Sequence, residues 1–361
     1  MQRVGGLRPA RGTAAGREVL PGLTPLWVAV ATVFLAIAIL LGLALGPVGL
    51  GAGRVAREIL SHLPFLGVDS PLSATEDAIL WELRAPRVVL GLLVGAMLAS
   101  AGAAYQGVFR NPLADPYLLG AAAGAGLGAT LVIAYELGGA AGRDLRPVAA
   151  FAGATFGVAC AYFLGRSVGG GRSTATLILA GVTVAAFLTA AQTFVQQHRS
   201  ETVQEVYAWI LGQLETSGWS EVVIALPYIV VSAAALLWHR RLLDVLAVGD
   251  DEAATLGVPV ARVRLLVIGA ATLGTAAAVA LSGLIAFVGI IVPHAIRLLA
   301  GTSYRVVMPL SLAFGAGFLV LADLLARTAI APAELPIGVV TAFFGAPFFA
   351  VVLRTTRPVE L

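Results

Sequence analysis

Residues 84–128 read R-A-P-R-V-V-L-G-L-L-V-G-A-M-L-A-S-A-G-A-A-Y-Q-G-V-F-R-N-P-L-A-D-P-Y-L-L-G-A-A-A-G-A-G-L-G. The apolar part from 88 to 105 is long enough to cross a bilayer as a helix, and charged residues, which hydrocarbon does not tolerate, stand at both ends. This segment is expected to be a membrane helix with a distinct outside and inside, and the rest of the chain is read outward from it.

The whole composition agrees with that reading. The 361 residues are 59% hydrophobic and 12% charged, with mean hydropathy +0.92, whereas a soluble domain carries about 25% charged residues. An all-α polytopic membrane protein follows. All 23 basic residues are Arg and none is Lys, which excludes a Walker-type phosphate loop, whose Lys must reach the β and γ phosphates. If ATP drives this protein, another chain hydrolyses it. The pI of 9.3 does not indicate nucleic acid, because the Arg residues stand in short loops between apolar runs and report topology. The single Cys160 lies in an apolar run, so neither a disulfide framework nor a Cys metal site is available.

Taken in order, ten spans are expected, at 26–45, 88–105, 117–137, 147–165, 176–195, 222–238, 265–281, 285–299, 306–325 and 337–353. Residues 1–25, with Arg3, Arg8, Arg11 and Arg17, form a cytoplasmic tail. The following apolar run exceeds the roughly 7–15 residues of a cleaved signal core, so an uncleaved first span is expected. Residues 46–83 fall outside. Arg143 and Arg146 mark an outer loop, Arg166 and Arg172 a cytoplasmic turn, and Y-A-W-I-L-G at 207–212 an interfacial helix. The longest internal polar loop, 240–264, falls inside, as do Arg354 and Arg357. This arrangement puts fifteen Arg inside and eight outside, the sign the positive-inside rule requires.

Candidates for chemistry are few. His62, His198, His239 and His294 form no spaced metal pair, and no nucleophile and base or paired carboxylates stand out. The Gly-rich G-A-G-L-G at 124–128 follows no strand, so it is read as a small-residue face for close helix approach. A-S-A-G at 99–102 with Pro112 resembles A-L-S-G at 280–283 with Pro293, as inverted halves would. Three Arg stand at outer ends of spans: Arg84 and Arg87, on one helix face, and Arg327. Either they snorkel as topology markers, or they bind something acidic. The residues alone leave both open.

At this point a family resemblance covers nearly the whole chain. R-A-P-R at Arg84, Q-G-V-F-R-N-P-L-A-D-P-Y-L-L-G at Gln106, L-A-G-V at Leu179 and W-I-L-G at Trp209 resemble the permease subunits of the FecCD type. So do L-A-V-G-D-D-E-A-A-T-L-G-V-P at Leu246, F-V-G-I-I-V-P-H-A-I-R-L at Phe287, A-D-L-L-A-R at Ala322 and E-L-P-I-G-V-V-T-A-F-F-G-A-P at Glu334. These are subunits of ABC importers for iron chelates, haem and cobalamin.

The resemblance implies the type II importer permease fold over residues 26–361 and a homodimer in the inner (plasma) membrane, with both termini cytoplasmic. It also implies two ABC ATPase subunits and a periplasmic or extracellular substrate-binding protein. The chain itself would bind no cofactor; ATP and magnesium belong to the ATPase, and the protein is not an enzyme. Family docking residues for the binding protein fall on Arg84, Arg87 and Arg327. The coupling segment to the ATPase falls on 245–259, with Asp250, Asp251, Glu252, Leu256 and Gly257 on a short helix ended by Gly257 and Pro259. The cytoplasmic gate falls on Asn111, Leu113 and Thr174, and Ala175 departs from the small hydroxyl residue expected after Thr174. Alternating access is the implied mechanism. The rival class, an ion-coupled secondary transporter, needs ionisable groups at mid-membrane, and the mid-span regions offer almost none. Nothing in the residues selects among siderophore, haem and cobalamin.

Overall fold

A computed structural model describes residues 22–62, 67, 69–137, 142–169, 174–214 and 218–355. Residues 1–21 of the expected tail, Arg172 and Arg357 lie outside the described residues, as does the side chain of Arg143. Every regular element among the described residues is helical.

The α-helices are α1 (Pro25–Ala44), α2 (Ala52–Ser61), α3 (Ala74–Ala78), α4 (Ala85–Phe109), α5 (Ala121–Ala134), α6 (Gly142–Gly169) and α7 (Thr174–His198). They continue with α8 (Val203–Ile210), α9 (Ser220–Val248), α10 (Asp250–Thr255), α11 (Val260–Ser282), α12 (Val288–Ala300), α13 (Tyr304–Thr328) and α14 (Ile337–Thr355). Each of the ten expected spans has its helix. Seven are long and apolar enough to cross a membrane, while α5, α12 and α14 are shorter apolar helices. The Y-A-W-I segment is helical, on α8.

The span containing α4 is the axis of the bundle: 78% of its apolar window is buried, against 22% for α1 and for α7. Since these helices are apolar on all sides, lipid or other helices must surround each one. Lipid tails are as apolar as Leu, so close association depends on shape, and Gly supplies it. A Cβ at Gly95 would stand 2.2 Å from Gly315 O on α13, and one at Gly102 would stand 1.9 Å from Gly289 O on α12. The α5–α6 contact repeats this three times. A Cβ at Gly124 would meet Gly153 O at 2.0 Å, one at Gly128 would meet Ala149 O at 2.1 Å, and one at Gly157 would meet Gly120 O at 2.5 Å. Here the G-A-G-L-G stretch is the expected small-residue seam, with backbone lying on backbone.

Before α4 the chain is pinned locally. Ser73 and Glu76 form a capping box on α3, and Arg54 on α2 grips the Glu76 carboxylate at 2.7 and 2.6 Å. A π-helical turn, Ile79–Arg84, then joins α3 to α4.

Three expectations need correction. The polar stretch 240–264 is not a loop: α9 runs on through Arg240, Arg241 and Asp244 to Val248, and only Gly249 separates it from α10. The apolar face carries the helix on, since Leu236, Leu243 and Leu246 are buried and the charges occupy other faces. The third and eighth spans start later than expected, at Ala121 and Val288. The apolar residues before them form a turn and irregular backbone packed in protein, with the Tyr117 hydroxyl donating to Ile285 O at 3.0 Å. The two glycines matched in the apparent repeat differ as well: Gly102 is inside α4, whereas Gly283 caps α11 at φ 66.

Candidate functional site

Polar side chains gather at the two ends of the bundle. One end is built on the last turn of α1, which has no basic residue of its own to satisfy its final carbonyls. Two guanidinium groups from other helices do so. Arg84 Nη1 donates to Leu43 O at 2.9 Å and Ala44 O at 3.2 Å, and its Nη2 donates to Val48 O. Gly46 makes the room, since a Cβ there would lie 2.9 Å from Arg84 Nη2. Arg327 Nη2 donates to Gly42 O. Both side chains are buried, 6% and 3% exposed.

Arg87 is held differently. Its Nε and Nη2 donate to Asp323 Oδ1 at 3.0 and 2.8 Å, and its Nη1 and Nη2 donate to Glu334 at 3.1 and 2.8 Å. Asp323 also lies 3.6 Å from Arg327 Nε, one helical turn along α13. One buried carboxylate thus stands between two guanidiniums, and a second, exposed carboxylate covers Arg87 from outside.

The three Arg expected to meet a partner are therefore brought together, but not as three free cations. Arg84 and Arg327 are committed to α1, and Arg87, the most exposed of the three, carries Glu334 on its outer side. Asp323 and Glu334 carry the cluster with them. Asp323 stands four residues before Arg327, a helical pairing distance visible in sequence. Glu334 is 247 residues from Arg87, and no local pattern joins them.

The other end is built around α10. Its first residue, Asp250, accepts from Arg264 Nη2 at 3.0 and 2.9 Å and faces Arg110 Nη2 at 3.4 Å. Asp251 and Glu252 are exposed, Ala253 is buried, and Leu256 projects with 70% of its surface accessible. Gly257, at φ 80, ends the turn with its N–H donating to Ala254 O at 2.9 Å. The result is a short acidic helix hung between two glycines with an apolar tip facing out.

Of the expected gate residues, Asn111 and Leu113 share the turn after α4, with Asn111 Oδ1 accepting from Leu113 N at 2.9 Å. Leu113 is about half exposed. Thr174 is the first residue of α7, directly after residues 170–173, which lie outside the described residues.

Beneath this turn runs a polar network that composition gave no reason to expect. Asp244 accepts from Ser303 Oγ at 2.9 Å and Tyr304 N at 2.6 Å. The Tyr304 hydroxyl accepts from Arg297 Nη2 at 3.2 Å, and Arg297 Nη1 donates to Gln106 Oε1. Gln106 Nε2 donates to Gly289 O at 3.0 Å and Ala114 O at 3.3 Å. Gln106 in an Ala/Gly run and Arg297 in an apolar run were the available signals, since a polar group buried at depth needs partners. Among the described residues no group of three or more His, Cys, Asp or Glu could hold a metal ion.

With this geometry in view, the relatives are informative. The chain is 42% identical over 325 residues to the uncharacterized ABC transporter permease protein YvrB of Bacillus subtilis, covering 89% of this chain and 91% of that one. It is 43% identical over 280 residues to the cobalamin import system permease protein BtuC of Halobacterium salinarum, covering 78% and 74%. It is 37% identical over 317 residues to the hemin transport system permease protein HmuU of Yersinia pestis, covering 85% and 90%. A solved structure described as an inward-facing conformation of a metal-chelate type ABC transporter superposes with TM-score 0.80 at 28% identity, covering 92% of this chain and all of that one. The profile of the FecCD transport family matches residues 34–355. A bundle of ten apolar helices with a short acidic helix at one end and an arginine cluster at the other is thus the frame of a transport permease, and the chain belongs to the FecCD transport family.

Proposed function

We propose that residues 26–361 form the transmembrane permease of a binding-protein-dependent ABC importer that carries a metal chelate, haem or cobalamin inward. The observation that carries this reading is α10. A six-residue acidic helix with an exposed Leu tip, flanked by glycines and pinned at its first residue, has the form of a peg for a partner's groove. It accounts for how a chain without a phosphate loop draws on ATP. The α10 end is then cytoplasmic and the Arg87 end faces the binding protein, in agreement with the Arg distribution.

Two copies would enclose the path, and ATPase closure would push α10 and bias the permease between inward-open and outward-open states. No covalent chemistry is required of this chain. Docking would centre on Arg87, with Arg84 and Arg327 as supports, because their buried guanidiniums hold the end of α1 on which Arg87 is presented. An ion-coupled transporter is disfavoured. Buried charges among the described residues lie near helix ends, and each has an ionic or hydrogen-bonding partner: Glu58 with Ser70, Arg84 and Arg327 with α1, Asp323 with Arg87, and Arg264 with Asp250.

The test is uptake into proteoliposomes holding this protein with its cognate ATPase and binding protein. Ferric siderophore, haem and cobalamin would be offered in turn. Uptake of one of them that needs ATP and both partners is the expected result. Uptake driven by an ion gradient without the ATPase would overturn the reading.

A further inference from the structure

The turn that follows α4 is attached on both sides of the Gly249 break. On one side is α9. The hydrogen bonds from Asp244 through Tyr304 and Arg297 to Gln106 end on Ala114 O, and Gln106 is 2% exposed with both of its amide atoms used. This side is a fixed support, because breaking any one of its bonds strands a buried polar group. On the other side is α10, whose Asp250 forms an ion pair with Arg110 of the same turn at 3.4 Å.

Arg110 is placed to transmit movement. It caps α4 in the left-handed region at φ 49, and the next residues wind tightly onto it, with Asn111 N donating to Gln106 O at 3.2 Å and Ala114 N to Asn111 O at 3.0 Å. Gly249 at φ 147 and Gly257 at φ 80 bracket α10 with backbone conformations that L side chains rarely adopt. These two glycines are the points at which α10 can change its angle against α9.

We propose that Arg110 is a positioning residue for energy coupling: tilting of α10 pulls the Asp250 to Arg110 contact and so moves residues 110–113 against the support held by Gln106. This rests on the reading that α10 meets the ATPase. Arg264, which grips the same carboxylate from α11 with two hydrogen bonds, holds Asp250 aimed at Arg110. An extended network alone is only an association between sites. The Asp250 to Arg110 contact carries a two-state bias.

The experiment uses the complete complex in proteoliposomes and reads substrate taken up per ATP hydrolysed. Arg110→Asn removes the charge while keeping a residue that tolerates the left-handed turn. Uptake per ATP is expected to fall by about tenfold, the middle of the usual range for coupling between sites, with the ATPase still co-purifying. Arg110→Lys is expected to retain most of it. Combining Arg110→Asn with Asp250→Asn should cost no more than the worse single change, because both remove the same contact. Unchanged uptake per ATP in Arg110→Asn, additive losses in the double variant, or loss of complex assembly in Arg110→Asn would each overturn the proposal. The underlying reading of α10 is tested apart from it by Leu256→Asp, which should abolish ATPase co-purification. Retention there removes α10 as the ATPase contact.

Discussion

The α5–α6 seam makes a quantitative prediction from one methyl group. In Gly124→Ala the new Cβ would lie 2.0 Å from Gly153 O and 2.6 Å from Gly153 C. An ordinary carbon to oxygen contact is roughly 3.2–3.4 Å, so the helices must part by on the order of 1 Å, because the obstacle is backbone and cannot rotate away. Sliding does not relieve it, since a Cβ at Gly128 or Gly157, one turn to either side, would also stand within 2.1 and 2.5 Å of a backbone oxygen. A gap of that size forfeits about a quarter to a half of each dispersion contact along the seam, and forced overpacking costs about 1–3 kcal/mol. Against this stands at most about 1 kcal/mol gained from replacing Gly by Ala within a helix. The control is Gly269→Ala on α11, where nothing lies within 4 Å of the added Cβ; it keeps the propensity gain alone. Unfolding in mixed micelles by dodecyl sulfate titration, followed by Trp fluorescence, should separate the two variants by the overpacking cost alone, about 1–3 kcal/mol, with Gly124→Ala the less stable. If both fall within about 0.5 kcal/mol of each other, the helices are not in backbone contact and the reasoning fails.

The arginine end supports further predictions. Asp323→Ala leaves the charges of Arg87 and Arg327 without their buried carboxylate and should destabilise by about 3–5 kcal/mol in the same titration; a loss under about 1 kcal/mol would show that water reaches the cluster. Arg84→Glu sets a carboxylate among the carbonyls of Leu43, Ala44 and Val48, so little folded protein should be recovered by size-exclusion chromatography. Recovery at the level of the parent would place Arg84 on the surface after all. Glu334→Gln weakens the exposed half of the grip on Arg87, and binding of the cognate binding protein, measured by surface plasmon resonance, should tighten by up to about fivefold. Weaker binding would mean that Glu334 belongs to the docking surface instead of competing for it.

The ten helices were legible because a bilayer demands long apolar helices and leaves few alternatives. Their ends were less so. Hydropathy cannot distinguish helix from apolar backbone folded inside the protein, so residues 117–120 and 285–287 looked like span when the first is a turn and the second irregular backbone. Arg240, Arg241 and Asp244 looked like a loop, because a charge on one face of a continuing helix carries no break signal of its own. The arginine end was half legible. Sequence shows three cations at one end of the bundle, but not that α1 ends without a basic residue in its last turn and needs two of them. For α10, the glycines and acids gave the helix and its stop directly. The network joins Gln106 on α4 to Arg297 and Tyr304 at the adjoining ends of α12 and α13, 191 residues on from Gln106 to Arg297, and one sequence holds no record of that proximity.

The seam between α5 and α6 has a mechanical meaning. Interfaces that switch between two arrangements do so by exchanging side-chain rotamers or sliding one ridge past another. Where glycine backbones lie directly on one another there are no rotamers to exchange and no ridge to slide over. These two helices therefore behave as a single plank, and any rearrangement of the bundle has to carry them whole. The turn at residues 110–120 leads from α4 straight into that plank, so a displacement of Arg110 acts on two helices at once.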